Sequence, residues 1–263
     1  MGESVEEWIA HIRGDFGCDV VMAAEQECCL RLPVASHEAI MASLLEQAKE
    51  QGHHIDSIAK EVGANAEWQQ YEIRLGHASP LHTVQCLAFI RDTLPTIAGQ
   101  NNSECTFVSF IENNEITSSL QIHLHLLNED GEYLFMKQED QLSEALQATL
   151  GGLLHMLETS SMPIFAANDA AVSRLRSSAD HVPVAACWGG NNRSVALRLP
   201  ESVVPHRHIE HRVPGSDADP QEVIAAILQG VHYGLKRQPD PGPQFHGDAR
   251  RSNELKRLVD LLS

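Results

Sequence analysis

Apolar and polar positions alternate along this chain in two rhythms, one close to every second residue and one close to every third or fourth. The switches between them mark out strands and helices. Ser4 to Arg13 predicts a short helix, with Ser4 as N-cap and Glu7 at the capping-box position. Asp19 to Leu32 alternates loosely and is β-branched at Val20-Val21, which predicts a strand or hairpin arm. His37 to Gln51 predicts a helix with Ile40, Leu44, Leu45 and Ala48 on one side, ended by Gly52. Ile55 to Val62 and Tyr71 to Gly76 predict strands, joined by a polar connection containing Gly63 and Asn65. Leu81 to Ile97 predicts a second apolar helix.

Cys105 to Ile111 and Ser119 to Leu127 predict strands bracketing a polar turn around Glu112-Asn113-Asn114. Asn128-Glu129-Asp130-Gly131 is a second turn signal. Ser143 to Glu158 predicts a helix, and Val184 to Trp188, Ser194 to Leu199 and His208 to Val213 predict strands. Asp219-Pro220 starts a helix that runs through Leu235, with proline at an early position where its missing N–H does no harm. Gln238 to Pro243 is a Pro-rich linker, and Asn253 to Leu262 predicts a small terminal helix, a dock or an oligomer contact. No internal repeat is found. Strands interrupted by helices without a regular βαβ spacing predict an α+β fold on a curved, largely antiparallel sheet flanked by helices.

Composition narrows the function classes. The chain of 263 residues carries 36 acidic against 19 basic side chains, a net charge of -17. That argues against nucleic acid as the main partner, because phosphate binding needs clustered Lys and Arg. None of the six cysteines forms a C-x-x-C, and most sit in apolar runs, so buried thiols in a reducing compartment are expected. The N-terminus has no basic, then apolar, leader pattern, and no apolar run is long enough to span a membrane. A cytoplasmic protein is the expectation.

Three groups of residues carry candidate chemistry. Glu25 and Glu27 lie two apart on a predicted strand, so their carboxylates share a face and need a nearby cation unless one stays protonated. Alternation likewise gives Gln121, His123 and His125 one face, and histidines two apart can bind one metal or two different ligands. Between Pro183 and Pro220, Arg193, Arg198, Arg212 and Glu210 lie on short strand-like segments. Guanidinium forks there suit carboxylate or phosphate oxygens, and the glutamate suits either the arginines or a metal.

That stretch resembles the glutamine synthetase family. It reads Asn192-Arg193-Ser194, Arg198-Leu199-Pro200, Ile209-Glu210-His211-Arg212-Val213-Pro214 and Asp219-Pro220, against the family's Asn-Arg-Ser, Arg-Ile-Pro, Ile-Glu-x-Arg-x-Pro-Asp and Asn-Pro. A weaker likeness extends from Val20 to Lys236. The resemblance implies a glutamine synthetase/guanido kinase-like catalytic domain over 1–237, with 238–263 as linker and terminal helix. It implies two Mg²⁺ or Mn²⁺ sites, with Glu25 and Glu27 supplying one carboxylate to each. Glu61 in Lys60-Glu61-Val62 and Glu72 in Gln70-Tyr71-Glu72 would complete the first site; His123 and Glu210 would complete the second. His125 would contact nucleotide phosphate. A register shifted by two would put Gln121 on the metal and His123 on the phosphate. Arg193, Arg198 and Arg212 would bind nucleotide phosphates or substrate carboxylate, Arg174 would be a further substrate-binding arginine, and Asp180 is the nearest candidate for the glutamate that shields the ammonium site. An ion-pair network between the arginines and glutamates is the competing arrangement.

The likeness breaks in places. The family's N-terminal β-grasp domain, which completes the neighbouring subunit's ammonia site, has no room here. Ile116-Thr117-Ser118-Ser119-Leu120 replaces the Asn-Gly-Ser-Gly loop, Lys60 replaces a histidine, and His208 replaces an arginine. The Lys-Pro expected beside Phe107-Val108-Ser109-Phe110 is absent. Two readings follow. One is an ATP- and metal-dependent carboxylate–amine (ammonia) ligase that forms a γ-glutamyl amide via an acyl-phosphate, with an altered acceptor. The other is an inactive paralogue that binds nucleotide or metal. Either way a homo-oligomer, or assembly with another glutamine synthetase-like chain, is expected.

Overall fold

The computed structural model describes residues 2–112, 116–135, 137–138, 141–201 and 207–262. It contains helices α1 (Val5–Phe16), α2 (His37–Glu50), α3 (Pro80–Gln100), α4 (Glu144–Met156), α5 (Met162–Phe165), α6 (Asp169–Arg176) and α7 (Pro220–Arg237). The long strands are β1 (Cys18–Arg31), β2 (Ile55–Ala64), β3 (Trp68–Ala78) and β7 (Leu120–Asn128). The short ones are β4 (Cys105–Thr106), β5 (Phe110–Ile111), β6 (Ile116–Thr117), β8 (Lys137–Gln138), β9 (Gln141–Leu142), β10 (Ala185–Gly189), β11 (Val195–Arg198) and β12 (Ile209–His211).

The fold is the expected α+β class. One sheet runs in the order β10-β11-β12-β7-β1-β3-β2, with β4 also paired to β1. Among the described residues of this sheet only β10–β11 is parallel. Alternation gives the central strands two unlike faces. Met22, Ala24, Cys28 and Leu30 of β1, Ile73 and Leu75 of β3, and Leu120, Ile122, Leu124 and Leu126 of β7 are buried toward the helices. The opposite face carries Glu25 and Glu27, then Gln70, Glu72 and Arg74, then Gln121 and His123. A period of two on each strand thus separates a hydrophobic layer from a polar one.

The local signals act as expected at several ends. Ser4 accepts from the Glu7 N–H at 3.2 Å while the Glu7 carboxylate accepts from the Ser4 N–H at 2.7 Å. Ser4→Ala removes one of these bonds and is expected to cost about 1 kcal/mol. An unchanged urea midpoint would contradict that. Asp219 caps α7 through the N–H groups of Gln221 and Glu222, and Gly52 takes φ +76° just beyond α2.

Four expectations are corrected. Leu45 is 40% exposed, whereas Met41 joins Ile40, Leu44 and Ala48 in the core; the buried stripe takes four of these five apolar residues and leaves Leu45 at its edge. The strand expected over Cys105–Ile111 is two short pieces, β4 and β5, because the chain between them leaves the sheet edge. There Ser109 donates to Asp217 at 2.5 Å. The terminal helix is a 3-10 turn at Leu258–Leu262, and Asn253, Glu254 and Leu255 before it form a bend. Beyond the helix predicted to Glu158, the residues from 159 to 176, for which no element was predicted, continue a π-helical turn at Leu157–Ser161 and then form α5 and α6. Of the turn expected at Glu112-Asn113-Asn114, the two asparagines lie outside the described residues.

The segment after α7 packs back on the sheet rather than leaving it. The Trp188 indole donates to the Gly242 carbonyl at 2.9 Å, and the Phe245 N–H donates to the Trp188 carbonyl at 2.9 Å. Farther on, the Ala186 N–H donates to Lys256.

Candidate active site

Strand register builds the site. Glu27 lies directly opposite Glu72, and Glu25 opposite Arg74 on one side and Gln121 on the other. His123 lies opposite Glu210, which in turn lies opposite Arg198. Residues brought from across the whole chain therefore form neighbouring rows on one sheet face. Glu61 joins from β2, where irregular pairing between Lys60 and Ala64 bends the edge strand.

These side chains enclose a cavity of about 290 Å³, lined by Glu25, Glu27, Glu61, Glu72 and Glu210 together with Arg74, Arg193, Arg198, Arg212, Gln121 and His181. His123 lies next door, on a shallower cleft that it shares with Glu25, Arg74, Arg198, His208 and Glu210. A larger cleft of about 800 Å³ opens on the other side, lined by Asp180, Asn191, Asn192, Arg193, Arg207, Gln244, Asp248 and Arg250 among others. Arg193 lines both the central cavity and the large cleft.

The carboxylates already have partners. Glu210, 1% exposed, is held between Arg198 at 2.5 Å and Arg212. Arg212 also donates to Gln121 at 2.7 Å and to the His181 carbonyl at 2.8 Å. Arg74 reaches Glu72 at 2.6 Å and Glu25 at 3.4 Å. Glu27 is buried and accepts from the Ser119 N–H at 2.6 Å, the Ser119 hydroxyl at 3.1 Å and the Gln70 amide at 3.3 Å.

Burial and charge pull these groups apart in acidity. Burial pushes the Glu27 carboxyl up to about 7, against the pull of Arg174 and the Ser119 N–H. Burial also raises Glu72, with Glu25 adding to the rise and Arg74 opposing it. Burial acts upward on Glu25 as well, but His123, Arg74 and Arg212 outweigh it and hold that carboxyl below the usual range. His181 is lowered by burial and then by Arg174 and Arg212, so its ring stays neutral near neutrality. Its Nε2 meets the Thr117 hydroxyl at 2.7 Å.

Of the thirteen candidates, counting Gln121, eleven face these three cavities and two do not. Arg174 is 2% exposed, and its guanidinium donates to the backbone carbonyls of Val213 at 2.9 Å and Arg212 at 3.1 Å, beneath the site. His125 shares a face with His123 but lies farther along β7, where its ring packs on Tyr133 at 4.7 Å and His77 at 5.3 Å. Arg74 is the lining cation that sequence reading missed. Its signal was available, because it stands two residues after Glu72 on a strand.

Among the described residues, no three His, Cys, Asp or Glu side chains are gathered closely enough to form a finished metal site. Around His123 the residues still fit one hard cation. Its Nε2 is buried without a hydrogen-bond partner, 3.6 Å from Glu25, with Glu210 as its cross-strand neighbour. Around Glu27, Glu61 and Glu72 they fit poorly, because Arg74 stands against Glu72, and Ser119 and Gln70 occupy Glu27. None of the three has an orphaned buried atom such as the His123 Nε2 supplies next door, where Glu210 is likewise held by arginines.

The glutamine synthetase catalytic domain matches residues 14–262 of this chain. The chain belongs to the glutamine synthetase family. Among curated relatives, a γ-glutamylputrescine synthetase (PuuA) of Escherichia coli strain K12 is 31% identical over 176 residues, 66% of this chain and 37% of its own length. A glutamate–isopropylamine ligase of a Pseudomonas species is 27% identical over 233 residues, 88% of this chain and 50% of its own length. This chain therefore spans half or less of the length of either. A solved structure of a GmaS/ADP complex superposes with a TM-score of 0.84 at 22% identity, covering 98% of this chain and 66% of that one. That likeness shows the shared glutamine synthetase-like fold. Among the described residues, no helix is long and apolar enough to cross a membrane.

Proposed function

We propose that this chain is the catalytic portion of an ATP-dependent carboxylate–amine ligase that forms a γ-glutamyl amide. The observation that carries this reading is the convergence of five carboxylates and four guanidinium groups on one sheet face, in a cavity joined through Arg193 to an open cleft. The names of the relatives support it. One is a γ-glutamylputrescine synthetase, one a glutamate–isopropylamine ligase, and a third, from Streptomyces coelicolor, a γ-glutamylethanolamide synthetase.

In the proposed reaction a substrate carboxylate oxygen attacks the γ-phosphorus of ATP. The bond to ADP breaks and an acyl-phosphate forms. The amine then attacks the acyl carbon, phosphate leaves with the bonding electron pair, and the nitrogen gives up a proton. Such transfers depend chiefly on positioning and charge neutralisation. Arg193, on the wall shared by cavity and cleft, is placed to hold the moving phosphoryl group. Arg198 and Arg212 are kept aimed into the cavity by Glu210 and offer forks to phosphate or carboxylate. Asp180, exposed at the cleft, is the proposed acceptor of the amine proton, beside a neutral His181. Glu25, His123 and Glu210 would hold a Mg²⁺ or Mn²⁺ ion, which supplies charge neutralisation at the phosphates when bound.

A specific observation favours the second reading, an inactive paralogue that binds nucleotide or works only with another glutamine synthetase-like chain. The carboxylates of Glu72 and Glu210 are already neutralised by arginines. ADP release from the purified chain, with glutamate and a panel of ammonia, putrescine, isopropylamine and ethanolamine, separates the two. The ligase reading expects release that needs both glutamate and an amine and falls about 100-fold or more in Arg193→Ala. Nucleotide binding by calorimetry without turnover would instead support the paralogue.

A further inference from the structure

Arg74 stands in the middle of a carboxylate cluster that the family resemblance reserves for metal. Its backbone faces Glu25 across β1, and its Nε lies 2.6 Å from Glu72 and 3.4 Å from Glu25. Those two acids have side chains only 7% and 19% exposed, while the arginine is 52% exposed. The guanidinium thus reaches in from the cavity mouth, with its stem in solvent and its charge against the acids.

A guanidinium and a divalent ion compete for the same carboxylate lone pairs, and they repel one another. The arginine cannot lose its proton to make room. Charge balance points the same way. Five carboxylates and four guanidinium groups line the cavity, so their formal charges leave one negative charge in all. That suffices to attract one divalent ion and falls far short of two in the absence of nucleotide. The neighbouring position also has arginines, Arg198 and Arg212 on Glu210, but it offers what the first lacks: the His123 Nε2, buried with no hydrogen-bond partner, 3.6 Å from Glu25 and on the far side of Glu25 from Arg74.

We propose that Arg74 is a built-in cation that replaces one of the two metal ions, so that the chain takes up one divalent ion, at His123, where two would be expected. The inference relies on the ligase reading only for the kind of ion sought. Ion count is read without turnover, so either can fail alone.

The test is titration of the purified chain with Mn²⁺ alone, counting free ion by electron paramagnetic resonance. The wild type is expected to bind one Mn²⁺ per chain. Arg74→Ala and Arg74→Gln are expected to bind two, and Arg74→Lys, which keeps the charge, one. His123→Ala is expected to lose the wild-type ion. Two ions or none on the wild type would overturn the proposal, as would an unchanged count in both neutral variants. Since Arg74 is half exposed, these variants should fold, and circular dichroism checks that they do. Their ADP release, measured in parallel, reports on the ligase reading independently.

Discussion

Gly152→Ala is expected to lower the unfolding free energy by about 3 kcal/mol, a large effect for one added methyl group. A Cβ at this position would lie 2.2 Å from the Gly230 carbonyl oxygen and 2.5 Å from both the N and Cα of Gly234. All three are backbone atoms of α7, so no side chain can turn aside to make room. The converse contact is as tight, because a Cβ on Gly234 would meet the Ala148 carbonyl at 2.2 Å. Helices α4 and α7 therefore touch backbone to backbone, and any side chain there must push them apart. Urea unfolding measures the loss. The control is Gly14→Ala in α1, where nothing lies within 4 Å of the added carbon. There helix propensity predicts a gain of up to about 1 kcal/mol. Equal behaviour of the two variants would refute the close crossing.

The second large effect is expected at Glu210. Replacing it by alanine leaves Arg198 and Arg212 without their shared counter-charge. Arg198, 18% exposed at its side chain, can turn toward water, but Arg212, at 5%, cannot. Breaking a buried pair from one side costs about 3–5 kcal/mol, and the lower end is expected here because one arginine can escape. Glu210→Gln keeps the shape and one acceptor, so its stability loss should be smaller. On the proposed ligase reading both variants are expected to lose ADP release by about 100-fold, since each frees the two forks that the proposed reaction needs aimed. If Glu210→Gln keeps full turnover, the charge of Glu210 has no part in the chemistry.

The sheet face was legible in the sequence wherever alternation was clean. Glu25 with Glu27, and Gln121 with His123, follow from a period of two alone, and capping residues located several helix ends. What could not be read was distance along a strand and depth below it. His125 has the correct parity for the site yet sits beyond it, because parity assigns a face and not a position. Arg174 carries a charge that sequence reading sends to a ligand. Its long side chain instead passes under the site to two carbonyl oxygens, an outcome set by tertiary packing. The break between Thr106 and Phe110 depends on Asp217, a partner about a hundred residues away. Leu45 and the terminal 3-10 turn show the same limit, since local pattern does not say how much surface the neighbours leave to cover.

Gln244, Phe245, His246, Gly247, Asp248 and Arg250 form a wall of the large cleft, and all lie in one short stretch after α7. The carboxylate cavity draws instead on strands spread through the whole chain. A single recombination near residue 240 could therefore exchange much of that wall and leave the carboxylate cavity untouched. A lineage diversifying by such splicing would reshape the cleft without rebuilding the cavity beside it.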